Sequence, residues 1–286
     1  MLETLLQSQL IVMLILFLCA FSRPIVLRPV AKMRRAGDAA YFIGLWMCIG
    51  ALVMMPFYWE ETVYASTLSP VIWLVSFFKG FTLWSTIVIM QKIRTHSSSS
   101  AEFRGMMTIA VLACMNMFLG EALSGLQWMS VGLLFMLGLF FTAKGHLSEL
   151  PREYKLLFFL LIFISALPGV TDQIVLSEAH WYVHFALSGL GIFLTSLFIG
   201  RSRMPILERL SDKSAMIAGI TWLISEAIIL SLLVTYIPVT LAVMAMTMSV
   251  PLTMLISSVF WGEGRWQQQA LIGGLSYLAV LPIIWG

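Results

Sequence analysis

Uncharged apolar runs of membrane-crossing length follow one another along this chain, separated by short polar stretches. A bilayer core about 30 Å thick takes roughly 20 residues of apolar helix to cross. Inside it each backbone N–H and C=O must find its partner within the segment, so the runs read as helices. Ten are predicted. The first five are Leu5 to Phe21, Ala39 to Trp59, Val71 to Met90, Phe103 to Leu119 and Leu126 to Ala143. The second five are Leu156 to Val170, His180 to Ile199, Ser214 to Tyr236, Val239 to Trp261 and Trp266 to Trp285. Of the 286 residues, 60% are hydrophobic and only 11% charged, against about 25% charged in soluble domains. No soluble fold hides that much apolar surface, and no stretch between runs is long enough for a separate domain.

The net charge of +3 matters through its distribution. Lys and Arg favour cytoplasmic loops, and here they cluster in alternate loops. Arg23, Arg28, Lys32, Arg34 and Arg35 follow the first run, Lys92 and Arg94 the third, and Lys144, Arg152 and Lys155 the fifth. Arg201, Arg203, Arg209 and Lys213 follow the seventh, and Arg265 the ninth. The intervening loops carry Glu60 and Glu61, then Glu121, then Asp172 and Glu178. This alternation fits ten spans and predicts both termini outside the cytoplasm. The first run lacks a basic region before it and a small-residue cleavage site after it, so it reads as a retained span rather than a signal peptide. Cys19, Cys48 and Cys114 lie in apolar runs without metal-ligand spacing and read as reduced, helix-packing thiols.

Laid over each other at a shift of about 142 residues, the halves agree in register. Phe118-Leu-Gly-Glu121, with Gln127 and Gly132, falls on Phe260-Trp-Gly-Glu263, with Gln269 and Gly274. Five spans per half is an odd number, so the second copy enters the membrane from the opposite side. The expected fold is an all-α membrane protein of ten transmembrane helices built as two inverted five-helix repeats. Residues 1–146 form the first repeat and 147–286 the second, within one integral membrane unit.

On these residues the chain resembles the drug/metabolite transporter superfamily, in particular its ten-helix EamA-like members. Their repeat carries a Pro-containing span, a Gly-Glu pair, a short loop with Gln and a Gly-rich closing span. Ser249-Val-Pro251, Gly262-Glu263 and Gly273-Gly274 match that order in the second half, and Gly120-Glu121 and Gly132 repeat its ending in the first. Two features depart from the pattern. Ile109 stands where the shift places the equivalent of Pro251, and the basic loops put the termini outside where the family has them inside. The resemblance implies secondary transport, with export ahead of import, in a cell membrane, the bacterial inner membrane.

Charged groups in hydrocarbon carry an insertion penalty of about 2.5–3.5 kcal/mol each and therefore mark function first. Lys79 lies about eight residues into the third run, about 12 Å deep; Glu226 lies about thirteen residues into the eighth from the other side, about 20 Å. Their depths coincide, and their runs are repeat partners. Either Lys79 binds an anionic group of the substrate and Glu226 a proton or cationic group, as the coupling site, or the two form a structural ion pair. Arg104 is a second anion anchor or a side chain snorkelling to lipid phosphate. Asn116 and Trp222 line a cavity or pack helices. Trp84, Trp222, Met244, Met246 and Met248 form an adaptable wall for substrate or ordinary packing. Glu121 and Glu263 are expected to cap or order the helix that follows each. His180 and His184 are one turn apart with Asp172 and Glu178 upstream, a metal-capable spacing that the loop assignment makes a solvated edge. Pro168, Gly169 and Pro251 either break helices beside a cavity or are packed kinks.

No nucleotide-binding loop, catalytic Ser-His-Asp pattern or zinc motif is present, so no ATP hydrolysis, enzyme activity, cofactor or metal is expected. The expected partners are a small-molecule substrate and membrane lipids, with a homodimer left open and no nucleic acid. The leading function is a secondary active transporter of a small metabolite, amphipathic compound or drug, proton- or exchange-coupled. The alternatives are a lipid-head-group flippase and an intramembrane enzyme.

Overall fold

A computed structural model describes residues 2–33, 36–94, 98–143, 150–199, 213–233, 235–262 and 266–285. Among them the secondary structure is helical: α1 (Leu2–Met33), α2 (Ala36–Met54), α3 (Trp59–Ala65), α4 (Pro70–Arg94), α5 (Ser98–Phe118) and α6 (Gly125–Phe141). Then come α7 (Arg152–Leu176), α8 (Trp181–Phe198), α9 (Lys213–Leu232), α10 (Val239–Thr247), α11 (Ser249–Trp261) and α12 (Trp266–Trp285). Seven apolar stretches among the described residues are long enough to cross a membrane: Gln9–Leu27, Gly37–Ala65, Pro70–Ile93, Arg152–Leu176, Trp181–Phe198, Lys213–Leu232 and Val239–Phe260. Arg104–Phe118, Gly125–Phe141 and Ala270–Val280 are shorter apolar helices. The chain is thus an all-helical, multi-pass membrane protein.

Several element ends differ from the sequence reading. α1 runs on through Arg23 and Pro24, where a loop was expected after Phe21. α7 continues through Pro168 to Leu176, so Asp172 lies within a helix and not in the loop assigned to it. In both cases apolar residues resume beyond the charge, Ile25 to Leu27 and Ile174 to Leu176, and a buried partner neutralises it. α2 passes directly into α3 through a 3-10 turn, Met55–Tyr58, and Pro56 occupies the first turn of that 3-10 segment, where its missing N–H is harmless. The ninth run is two helices. The Met248 N–H closes α10 on the Met244 and Met246 carbonyls, and Pro251 falls in the first turn of α11.

Lipid offers no hydrophobic driving force between helices, so close backbone packing at small residues holds them together. α8 shows this on two faces. A Cβ on Gly189 would lie 2.7 Å from the Met47 Cβ of α2, and one on Gly191 2.7 Å from the Phe77 carbonyl of α4. The Tyr182 hydroxyl donates to the Ala51 carbonyl at 2.8 Å, tying α8 to α2 again.

The packing has a pattern. α4 lies on α7 and α8, and α9 lies on α1 and α2; α5 packs on α7 and α6, and α10 and α11 pack on α1 and α12. α2 packs on α8 and α6 on α12. Exchanging the first half for the second (α1 with α7, α2 with α8, α4 with α9, α5 with α10 and α11, α6 with α12) turns each of these pairings into another of them or into itself, whereas α4 on α5 has no equal counterpart. The positive-φ glycines among the described residues, Gly120 (φ 89) and Gly262 (φ 66), are also exchanged by the repeat shift. Glu263 and Arg265 lie outside the described residues, as do Arg34, Arg35, Lys144, Arg201, Arg203 and Arg209 of the basic loops.

Candidate functional site

Four charged side chains from four helices meet in the middle of the bundle. Lys79 of α4 has a side chain only 1% exposed, and its Nζ lies 2.6 Å from Asp172 Oδ1 of α7 and 2.8 Å from Glu226 Oε1 of α9. The other Glu226 oxygen accepts from an Arg23 terminal nitrogen of α1 at 2.7 Å. The formal charges of these four groups cancel, which is the condition for holding them in a low-dielectric interior. His184 of α8, fully buried, extends the network: its Nε2 lies 2.9 Å from Asp172 Oδ1 and its Nδ1 2.8 Å from Ser76 Oγ. An ionised Asp172 only accepts, so Nε2 carries the proton; in a neutral ring Nδ1 then accepts from the Ser76 hydroxyl.

Arg23 and Asp172 escaped the sequence reading as site residues, because the apolar runs were ended just before each charge, at Phe21 and Val170. The resumed apolar residues beyond them were the available signal. His184 is likewise not on a solvated edge. Among the described residues no group of three or more His, Cys, Asp and Glu is placed to hold a metal ion.

The network walls a cavity of about 230 Å³. Arg23, Lys79, Asp172 and Glu226 line it, with Arg104, Trp222, Ser165 and Met246. Arg104 donates to the Ser165 hydroxyl of α7, and the Arg23 guanidinium carbon lies 4.4 Å from the centre of the Trp222 ring, a cation–π stack. A second cavity of about 200 Å³ shares Arg23, Arg104, Trp222 and Met246 and adds Pro24, Leu27 and Ser249. It leads toward the bundle end formed by the C-termini of α1 and α4 and the N-terminus of α5.

Toward the opposite end a polar cluster ties α5 to α10, and it begins with local geometry. α5 ends in a Schellman motif: Gly120 takes the left-handed conformation, the Glu121 N–H reaches the Asn116 carbonyl at 3.0 Å and the Gly120 N–H the Met117 carbonyl at 3.1 Å. That turn aims the Glu121 carboxylate across the bundle. Its Oε1 accepts the Thr240 backbone N–H at 2.9 Å, and its Oε2 accepts the Thr240 hydroxyl at 3.0 Å and the Asn116 amide at 2.8 Å. Glu121 therefore caps α10, far along the chain. The helix after it, α6, is capped by Ser124 and Gln127 in a capping box, which corrects the expectation that Glu121 orders that helix.

Of the residues singled out from sequence, Lys79, Glu226, Arg104, Trp222 and Met246 line the cavity. Asn116 and Trp84 do not. Asn116 is buried in the polar cluster. Trp84 is half-buried against the main hydrophobic cluster, its ring centre 6.5 Å from that of Phe81. Met244 is fully buried between α10 and its neighbours. All three cysteines are free, but only Cys19 is buried; Cys114 is exposed on α5, a correction to its packing role. Compared with known proteins, the sequence matches no family model and no curated protein.

Proposed function

We propose that this chain is a secondary transporter that carries a small metabolite, amphipathic compound or drug across a cell membrane. It works by alternating access between two inverted five-helix repeats, as in the ten-helix EamA-like drug/metabolite transporters it resembles. One observation carries the reading: a charge-balanced network of Arg23, Lys79, Asp172 and Glu226 lines a cavity deep among apolar helices. Charges that served packing alone would sit in a dry seam; these wall a space a solute can enter. The exchange of helix pairings between halves supports the repeat, since each closure at one end then has a counterpart at the other. A substrate or proton that competes for one carboxylate loosens the ion pairs and lets the halves rearrange. The basic loops put the cavity's accessible end in the cytoplasm, which suits loading for export from a bacterial inner membrane.

The test is transport by the purified protein in liposomes against a metabolite panel, with Lys79→Met and Glu226→Gln made singly and together. Each single variant is expected to lose at least 90% of uptake, and full transport by the double variant overturns the reading. A flippase is the second reading. It is favoured by an apolar groove of about 280 Å³ between α1, α10 and α12, where Leu10, Leu14 and Phe17 face Met248 and Tyr277. Movement of a labelled lipid between leaflets, with none of the soluble panel, would select it.

A further inference from the structure

The cavity wall keeps polar atoms that the charge network leaves over. Both Glu226 oxygens are engaged by cations, and Asp172 Oδ1 serves Lys79 and His184 together. Trp222 Nε1 and Arg23 Nε, by contrast, are buried without a hydrogen-bond partner. Trp222 is 7% exposed, and the two side chains stack on one another, so two orphan N–H donors lie together just behind one small patch of the wall that both residues line. A buried donor without an acceptor carries a penalty of about 1–3 kcal/mol, which a ligand acceptor removes. A carboxylate fits best, since hydrogen bonds to an ionised acceptor are roughly twice as strong as neutral ones.

We propose that the stacked Arg23 and Trp222 side chains form the head-group subsite, and that the substrate is a small organic anion, a carboxylate carried on an apolar body about the size of one ring. The body has its place: Met90, Val243 and Met246 line both cavities beside Trp222. Its size follows from the 230 Å³ cavity, which falls below the roughly 300–1,000 Å³ of sites for drug-sized ligands. Arg23 is also the most accessible of the four charges, 15% exposed against 1% for Lys79 and 6% for Glu226. An incoming carboxylate therefore meets Arg23 first and competes with Glu226 for it. That competition couples binding to the network, and in this respect the assignment deepens the transporter reading and rests on it.

Calorimetric titration of the intact protein in lipid nanodiscs with benzoate, benzyl alcohol and benzylamine tests the subsite. The three probes share a ring and differ in head-group charge. Benzoate is expected to bind at least tenfold tighter than the alcohol, and the amine weakest. Trp222→Phe keeps the ring under Arg23 and removes the N–H, and should weaken benzoate about tenfold while leaving the alcohol within twofold. Arg23→Lys keeps the charge beside Glu226 and removes Nε, and should do the same. Equal affinity for the three probes, tighter amine binding, absence of benzoate binding, or a Trp222→Phe protein that binds benzoate within twofold of the parent overturns the proposal. Labelled-benzoate uptake into proteoliposomes separates the two readings. Binding without translocation leaves the subsite standing and overturns transport, whereas translocation of other solutes with no benzoate preference overturns the subsite alone.

Discussion

Lys79 is the residue on which the buried network turns, because its ammonium serves Asp172 and Glu226 together from a side chain almost without exposure. Lys79→Met leaves an uncompensated carboxylate, and breaking a buried pair in this way costs about 3–5 kcal/mol. The expected result is a clear fall in the thermal midpoint of the detergent-solubilised protein. Adding Asp172→Leu removes the surplus charge, and most of the lost stability should return, since apolar replacement of a buried pair is often near neutral. A double variant no more stable than Lys79→Met would show that charge balance is not what holds these helices. Ser76→Ala provides the contrast: it deletes one neutral hydrogen bond to His184, an effect of about 0.5–1.5 kcal/mol. Lys79 and Glu226 were legible in the sequence because each interrupts a long uncharged run. Their partners were not, because proximity between α1, α7 and α9 is a property of packing that no local pattern encodes.

At the scale of elements, the turn after α5 does two things, ending one helix and capping another. Gly120 has φ 89, and a Cβ there would meet nothing within 4 Å, so the constraint is backbone conformation and not space. Gly120→Ala is therefore expected to destabilise by about 1 kcal/mol through strain alone, read as a lower thermal midpoint; an unchanged midpoint would remove the turn from the account. α8 poses the opposite constraint. Gly191 is limited by space, with the Phe77 carbonyl 2.7 Å from any added Cβ and Gly80 Cα at 3.1 Å. Gly191→Val must push α4 and α8 apart and is expected to abolish a monodisperse peak in size-exclusion chromatography. Gly191→Ala should retain that peak with reduced yield. The helices themselves were largely legible from hydropathy, to within a few residues at most ends. Their failures, at Arg23 and Asp172, share one cause. A charge marks a helix end only when it lacks a buried partner, and partners are tertiary.

For the whole molecule, a polar tie at one end and a cavity toward the other are what the proposed alternating access requires of one side of its cycle. The main helix pairings exchange with the halves, and among the described residues the polar cluster of Glu121, Asn116 and Thr240 fastens the end where α5 finishes and α10 starts. Glu121→Gln keeps the size of the side chain and gives up the charge that caps α10, a contribution of about 0.3–1 kcal/mol or more where partly buried. That energy is enough to shift a two-state balance several-fold. The shift can be read from a thiol in the cavity. Gly105 lines both cavities, and a Cβ there would make only ordinary contacts, 3.6 Å to Val250 and 3.8 Å to Thr247, so Gly105→Cys fits. In a background without Cys19, Cys48 and Cys114, an impermeant thiol reagent should label Gly105→Cys from the basic-loop side. Glu60→Cys, exposed at the acidic end, marks the other side. Glu121→Gln should raise labelling of Gly105→Cys from the Glu60 side at least threefold and lower it from the first. Equal labelling of the parent from both sides would mean that the Glu121 cluster seals nothing. Unchanged sidedness in Glu121→Gln would leave the cluster a helix cap alone, and the gate would have to be sought elsewhere between α5 and α10.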